Sequence, residues 1–283
     1  MVHPDAANLR NREDVYQWYT TEIASIPPVM RELLEKYSGI PHDDVIPHIS
    51  KLRDRAFDTW PYPCIGQLRF LNLNLSTSPL YPTVLSRLTT QSQTFLDAGC
   101  CFGQDLRKLA FDGAPPASLY GLDLEPAFLE LGYDLFCDRA KMVDATFVSG
   151  SLLDSAARFP ELEGSIDMVL ANSLLHLFTW AEQIVVASRL VGFLKPQPGS
   201  MIMGRHVGAV EAGEYRALSE GATSFRHNVQ SFRRLWDEVG QETDSRWKVD
   251  AQLDLKDIVP GVNLGQKWTE RGTRRMHFTV TRE

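Results

Sequence analysis

The chain has 283 residues, 43% of them apolar and 10% aromatic, enough to bury one large core or two smaller ones. Its formal net charge of −7 excludes the basic footprint of a protein that binds nucleic acid or an anionic membrane, and leaves a small molecule as the expected partner. Four cysteines, Cys64, Cys100, Cys101 and Cys137, form no CxxC pair and no disulfide framework, so no structural metal and a reducing, cytoplasmic setting are expected. The first twenty residues carry scattered charges rather than a leader-like apolar stretch. No segment approaches the ~18 apolar residues of a membrane span.

In chain order, residues 12–60 read as three helices: REDVYQWYTTEI (12–23), VMRELLEKYSGI (29–40) opened by Pro27 and Pro28, and DDVIPHISKLRDRAFDTW (43–60). Each has apolar residues at helical spacing with Pro or Gly at its ends. The stretch WPYPCIGQLRFLNLNLSTSPLY (60–81) is rich in Pro, aromatic residues and Asn, and reads as a connector able to line a site. Residues 1–90 are thus expected to form an N-terminal helical cap with its aromatic connector, and residues 91–283 the main domain. The cap helices are candidates for a lid or for the surface of a homodimer.

From Thr94 the pattern changes to short apolar runs alternating with amphipathic helices. Strands are expected at TFLDA (94–98), SLYGLDL (118–124), ATFVSG (145–150), IDMVLANS (166–173) and SMIMGRHV (200–207). Helices fall between them at 103–111, 126–136, 153–159 and 180–194. A helix at SFRRLWDEVG (231–240) and strands at RWKVDAQLDL (246–255) and RRMHFTVTRE (274–283) follow. The layout is α/β: five parallel strands with helices on both faces, and a late antiparallel pair on the sheet edge.

In such a sheet, ligands bind beyond the carboxyl ends of the strands, where the strand order reverses. Asp97, Gly99, Cys100 and Gly103 lie at that point, and the helix beginning near Gly103 offers free backbone N–H groups. The spacing Gly-Cys-Cys-Phe-Gly departs from the Gly-x-Gly-x-x-Gly dinucleotide fingerprint. Cys101 takes the place of the middle glycine and obstructs a diphosphate. No Gly-Lys-Ser/Thr follows, which excludes a P-loop. A plainer reading is that Gly99 and Gly103 merely permit tight strand-to-helix packing.

Asp123 ends the next strand, where a carboxylate can accept hydrogen bonds from both hydroxyls of a ribose. An N-cap role is its alternative, with Glu125 also available and Pro126 opening the helix. In FVSGSLLD (147–154), Gly150, Ser151 and Leu152 are candidates for the edge and face of an adenine. Asp167 opening the fourth strand and Asn172 and Ser173 closing it are expected to set polar groups at the top of the sheet. His176 follows, either a catalytic group or a packing residue.

Taken together, DAGCCFG, the acid of YGLDL, and LANSLLH resemble the class I S-adenosylmethionine-dependent methyltransferases, whose cofactor carries no phosphate. WPYPCIG, FLDAGCCFGQDLRKLAFDGAP and LYGLDLEPAFLELGYDLFCDR resemble, more narrowly, the small methyltransferases of fungal meroterpenoid and other secondary-metabolite pathways. The resemblance implies a Rossmann-like fold and methyl transfer to an oxygen of a small terpenoid or polyketide-derived acid or alcohol, often a carboxyl that becomes a methyl ester. It implies that Asp97, Gly99 and Gly103 hold the methionine part of S-adenosylmethionine, Asp123 and Leu124 the ribose, and Ser151 and Leu152 the adenine region.

Methyl transfer from a sulfonium is an in-line displacement, so alignment and exclusion of water carry most of the catalysis; such positioning supplies ~7 to 11 kcal/mol. A carboxylate acceptor is already ionised and needs no base, whereas a phenol or alcohol benefits from one. His176 and His206, each expected just past a strand end, are the candidate bases. Arg205 can pair with a substrate carboxylate through its planar fork, unless GRHV is simply a solvated strand end. Trp60, Tyr62 and Tyr81 are candidates to close over a bulky apolar substrate, with core packing as their alternative. A short-chain oxidoreductase would need the middle glycine and a Tyr-x-x-x-Lys pair, both missing from the sequence. A non-catalytic partner protein would need neither the glycine turn nor the ribose acid.

Overall fold

The computed structural model describes residues 19–217, 221–256, 258 and 271–283. These form two compact units that divide after Gly150. The expected helix at 12–23 lies partly outside the described residues. Its remainder, 19–23, is irregular, because its backbone is engaged elsewhere: Thr20 N–H donates to the Gly66 carbonyl at 2.9 Å, and the Thr20 carbonyl accepts from Arg53 Nη1 at 2.6 Å.

In the first unit, Pro28 opens α1 (Pro28–Glu32), which runs into one π-helical turn (Leu33–Tyr37) and stops at Gly39, φ +74°. The next helix, α2 (Val45–Thr59), buries Val45, Ile49, Leu52 and Ala56, a stripe at intervals of three and four. Then come α3 (Pro63–Gly66) and α4 (Tyr81–Thr90). Three strand-and-helix steps follow: β1 (Phe95–Ala98), α5 (Gln104–Phe111), β2 (Leu119–Asp123), α6 (Pro126–Phe136) and β3 (Thr146–Ser149). β1 pairs in parallel with β2, and β2 with β3. All four residues of β1 are buried, as a strand covered on both faces requires.

The second unit contains β4 (Met168–Leu170), α7 (Trp180–Phe193) and β5 (Met201–Ala209). A small hairpin of β6 (Gly213–Arg216) and β7 (Thr223–Arg226), α8 (Val229–Glu242), β8 (Trp247–Leu253) and β9 (Thr273–Arg282) complete it. β4 is parallel to β5, and β9 runs antiparallel to both β5 and β8. Strand order through the seven-stranded sheet is β3-β2-β1-β4-β5-β9-β8. This is the mostly parallel, Rossmann-like sheet with antiparallel C-terminal strands that the sequence leads one to expect.

Three local expectations are corrected. Residues 153–159 form turns rather than a helix, since Arg189 and Arg158 capture the carbonyls of Asp154, Ser155 and Ala157, and Pro160 disfavours helix before it. The β6–β7 hairpin is an addition to the expected layout. The late antiparallel pair does close the sheet edge as expected, with β9 against β5 and β8 outermost. β5 continues to Ala209, because β9 pairs with it along its whole length, so Arg205 and His206 are interior to the strand instead of past its end.

Candidate active site

The turn after β1 contains left-handed residues at Gly99 (φ +79°), Cys101 (+54°) and Gly103 (+63°). Gly99 and Cys100 both donate their N–H to the Leu122 carbonyl, at 2.7 and 3.0 Å, and Gly103 N–H donates to the Cys100 carbonyl at 2.7 Å. A left-handed L-residue costs about 1–2 kcal/mol. At Cys101 that cost is offset by a charge-assisted bond, its N–H donating to Asp123 Oδ2 at 2.7 Å. Gly103 has a packing reason to lack a side chain: a Cβ there would stand 2.5 Å from Arg107 Nη1 and 3.1 Å from the Phe147 ring. The Cys100 side chain is buried in the core, which leaves only its main chain to face a ligand.

Three carboxylates converge on this turn. Asp97 is buried on β1, and its carboxyl is pushed well above the usual range by burial and then by the charges of Asp105 and Asp123. Asp123 is raised by burial, against the bonds it accepts from Cys101 and Glu125. Its Oδ1 accepts from Glu125 N–H at 3.0 Å and the Leu124 N–H also bonds to the carboxylate, so of its about four lone-pair sites at least one stays open to another donor. Capping of α6 falls to Glu125, which accepts from Ala127 N–H at 3.3 Å, leaving Asp123 for another role. Leu124 is 39% exposed beside it, and Gly150 N–H donates to the Asp123 carbonyl at 3.0 Å.

Of the connector aromatics, the structure brings Trp60 and Tyr62 to the turn and takes Tyr81 away from it. Trp60 and Tyr62 meet edge to face at 5.7 Å, and Tyr62 reaches Phe128 at 6.1 Å. Phe128 continues to Phe102, inside the turn, at 5.7 Å. The Tyr62 phenol is pushed up by burial and by the charge of Asp123. Tyr81 instead donates its hydroxyl to Asp112 Oδ2 at 2.6 Å, just beyond the far end of α5.

In the second unit, Ser151 Oγ accepts from Leu153 N–H at 3.2 Å and Leu152 is buried. Asp167 sits at the opening end of β4 rather than at its top, and pairs with Lys195 at 2.6 Å. Asn172 and Ser173 extend the β4–β5 ladder: Asn172 Oδ1 accepts from Arg205 N–H at 3.0 Å, and Ser173 N–H donates to the Arg205 carbonyl at 2.7 Å. Arg205 stands opposite His277 on β9, and His206 opposite Met276. Successive strand residues point to opposite faces, so Arg205 and His206 do not share a site.

His206 is fully buried between Phe232 at 5.4 Å and Phe278 at 5.1 Å, with His176 at 6.2 Å and His227 at 6.3 Å. Neither of its ring nitrogens has a hydrogen-bond partner among the described residues. Burial, then its two imidazole neighbours, holds its basicity well below the ordinary range. His176 lies half-buried on a single turn, Leu175–Leu177. His227, which sequence reasoning missed because a lone histidine ahead of a helix carries no signal, is pushed down to about 3 by burial. Gln183 Nε2 donates to the Phe178 and Phe225 carbonyls at 3.0 and 2.9 Å, so its Oε1 accepts from His227 Nε2–H at 2.9 Å. His227 Nδ1 is thereby the acceptor for the Ser231 hydroxyl at 3.0 Å, an assignment made from the network.

No helix among the described residues is long and apolar enough to cross a membrane. Residues 18–71 match the meroterpenoid methyltransferase N-terminal domain and residues 95–197 a methyltransferase domain. The chain is 43% identical to O-methyltransferase atr3 of Stereocaulon alpinum over 94% of its own length and 75% of the relative's. It is 39% identical to O-methyltransferase phiE of a fungal species (94% and 92% covered) and 38% identical to methyltransferase ausD of Penicillium brasilianum (93% and 97%). An oxidoreductase is excluded by this kinship. The residues at the turn fit a phosphate-free nucleoside cofactor: Asp123 retains acceptors for a ribose, and Cys101 stands where a diphosphate needs glycine. The chain belongs to the fungal meroterpenoid and secondary-metabolite O-methyltransferases, and its cofactor is S-adenosylmethionine.

Proposed function

We propose that this chain methylates a carboxyl group of a small terpenoid or polyketide-terpenoid acid, giving a methyl ester. S-adenosylmethionine, when bound, supplies a methyl carbon activated by its sulfonium. Asp123 would hold the ribose hydroxyls, Leu124 would cover an apolar face, and the main chain at Gly99 and Gly103 would meet the methionine part. Burial, and then the charges of Asp105 and Asp123, raise Asp97, and a cationic ligand beside these three carboxyls would offset the part of that cost that comes from their mutual repulsion.

The observation that carries the carboxyl reading is the weakness of the buried histidines as bases. His206 is held well below the ordinary imidazole range, and the His227 lone pair is taken by Ser231. A phenol near pKa ~10 needs a base poised near neutrality, which these are not; a carboxylic acid near ~4 is ionised without help. The competing acceptor, a phenol or alcohol, would rely on His176, the one half-buried member of the cluster.

The test uses cofactor labelled in its methyl group and paired substrates, an aromatic acid and the matching phenol. Label is expected in a base-labile ester, and His176→Ala is expected to keep at least about half of that turnover, as a step without general-base assistance allows. Label in an ether, abolished by His176→Ala, would overturn the carboxyl reading and install the base-assisted one.

A further inference from the structure

We propose that Tyr37, more than sixty residues upstream of the turn, is a positioning residue for the cofactor site, acting through a buried relay of Asp138, Arg107 and the Phe102 carbonyl. This rests on the reading that residues 97–103 and Asp123 hold the cofactor.

Arg107 has no exposure at all and spends its fork on two tasks. Nε and Nη2 donate to Asp138 at 2.9 and 3.3 Å, and Nη1 donates to the Phe102 carbonyl at 2.8 Å. The rings of Tyr133, Phe136 and Phe147 pack around its guanidinium carbon at 4.9 to 5.3 Å, leaving it no alternative seat. Asp138 Oδ2, already shared with Arg107, also accepts the Tyr37 hydroxyl at 2.8 Å. Lys141 closes over Tyr37 from the same stretch, donating to its carbonyl and standing 4.6 Å from its ring.

The far end of the relay is the turn itself. Phe102 lies between the left-handed Cys101 and Gly103, and its carbonyl is outside the α5 ladder, whose first bond joins Arg107 N–H to the Gly103 carbonyl at 3.1 Å. The peptide caught by Arg107 is two peptide units from the Cys101 N–H that orients Asp123. A Cβ at Gly103 would stand 2.5 Å from Nη1, and one at Gly132 would stand 2.5 Å from the Phe102 oxygen, so guanidinium, turn and α6 have no slack. Removing the phenol bond re-centres Asp138 on Arg107, and the shift passes to the Phe102 peptide. Close packing transmits such displacements rather than absorbing them.

The experiment measures S-adenosylhomocysteine binding to the full chain by calorimetry. Tyr37→Phe is expected to raise Kd about fivefold, the lower end of ordinary coupling between sites, and to raise KM for the cofactor while kcat at saturation holds. Tyr81→Phe is the matched control: it deletes a phenol–carboxylate bond beyond the other end of α5 and is expected to lower thermal stability with Kd unchanged. Tyr37→Phe binding like wild type, or both variants weakened alike, overturns the relay. Asp123→Ala separates the two layers of inference. If it binds like wild type, the assignment of the ribose to Asp123 falls and the relay, which rests on that site, falls with it; if it weakens binding while Tyr37→Phe does not, only the relay falls. Should Tyr37→Phe fail to fold, hydrogen exchange on the unmodified chain decides. The Lys141 and Met142 N–H groups donate to the Asp138 carbonyl, and saturating S-adenosylhomocysteine is expected to slow their exchange; no change there overturns the relay.

Discussion

Two neighbouring residues of α5 carry similar networks with different burial. Arg107 pairs with Asp138, which also accepts the Tyr37 hydroxyl, with side-chain exposures of 0% and 0% for the ion pair; Lys108 pairs with Asp112, which also accepts the Tyr81 hydroxyl, at 11% and 23%. Each joins a cation, a carboxylate and a phenol, yet the partly exposed set ties down a helix end, whereas the buried set has no water to replace any lost partner. Taking a partner from a buried pair strands a charge in low dielectric, and the same loss near the surface is largely answered by solvent. Chemistry alone does not rank these two clusters. Burial does.

The largest expected effect tests that ranking directly. Arg107→Met is expected to destabilise the fold by about 3–5 kcal/mol in urea unfolding, against about 1 kcal/mol or less for Lys108→Met. Equal losses would erase the contrast. Next, Asp123→Ala asks whether the carboxylate of the turn serves a ligand as well as the fold: a rise of tenfold or more in cofactor Kd is expected, from bonds to a charged group worth ~1.5 to 3 kcal/mol each. Unchanged affinity would make Asp123 a purely internal acceptor of the Cys101 and Glu125 N–H groups.

A smaller effect, spread over pH, extends the contrast to the histidines. Burial depresses His206 and His227, so between their folded values and the ordinary 6.5 the unfolded chain binds more protons. Their share of stability is therefore complete above pH 6.5 and falls as the medium is acidified, by up to ~1.4 kcal/mol per pH unit for each group. Asp97 and Asp123 act in the opposite sense, their raised carboxyls favouring the fold below 3.8 and losing that share as pH climbs through their folded values. The readout is accordingly the difference between wild type and His206→Phe, which is expected to shrink as pH falls below 6.5. A difference flat with pH would mean that His206 is charged in the folded chain.

The parts of the fold that were legible in the sequence are those where one periodicity governs a whole segment. β1, β2, α5, α6, α7 and α8 fall where apolar runs and amphipathic stripes put them, because these segments bury a continuous face. Residues 153–159 have helical composition, but two arginines take their carbonyls first, one of them from 35 residues downstream. Asp123 was legible as an acid at a strand end, and the structure adds that Glu125, not Asp123, caps α6. Gly103 was legible as a special residue, whereas the Arg107 side chain that crowds it was not. Asp138 is 31 residues from Arg107 and 101 from Tyr37, separations at which a lone Tyr or Asp leaves no pattern. Arg205 and His206 were each legible as polar residues near the end of a strand run, whereas their placement on opposite faces follows from the two-residue period of the strand that β9 extends past them.

The placement of β9 between β5 and β8 has a consequence for how this protein is made. β5 leaves the ribosome with one hydrogen-bonding edge along its nine residues still bare, and β8 emerges with no strand to lie against. Only when residues 273–282 arrive are both edges covered, and only then does Phe278 close the wall beside His206. Through that interval the nascent chain exposes sticky strand margins, the condition under which chaperones are recruited and premature stops lead to aggregation.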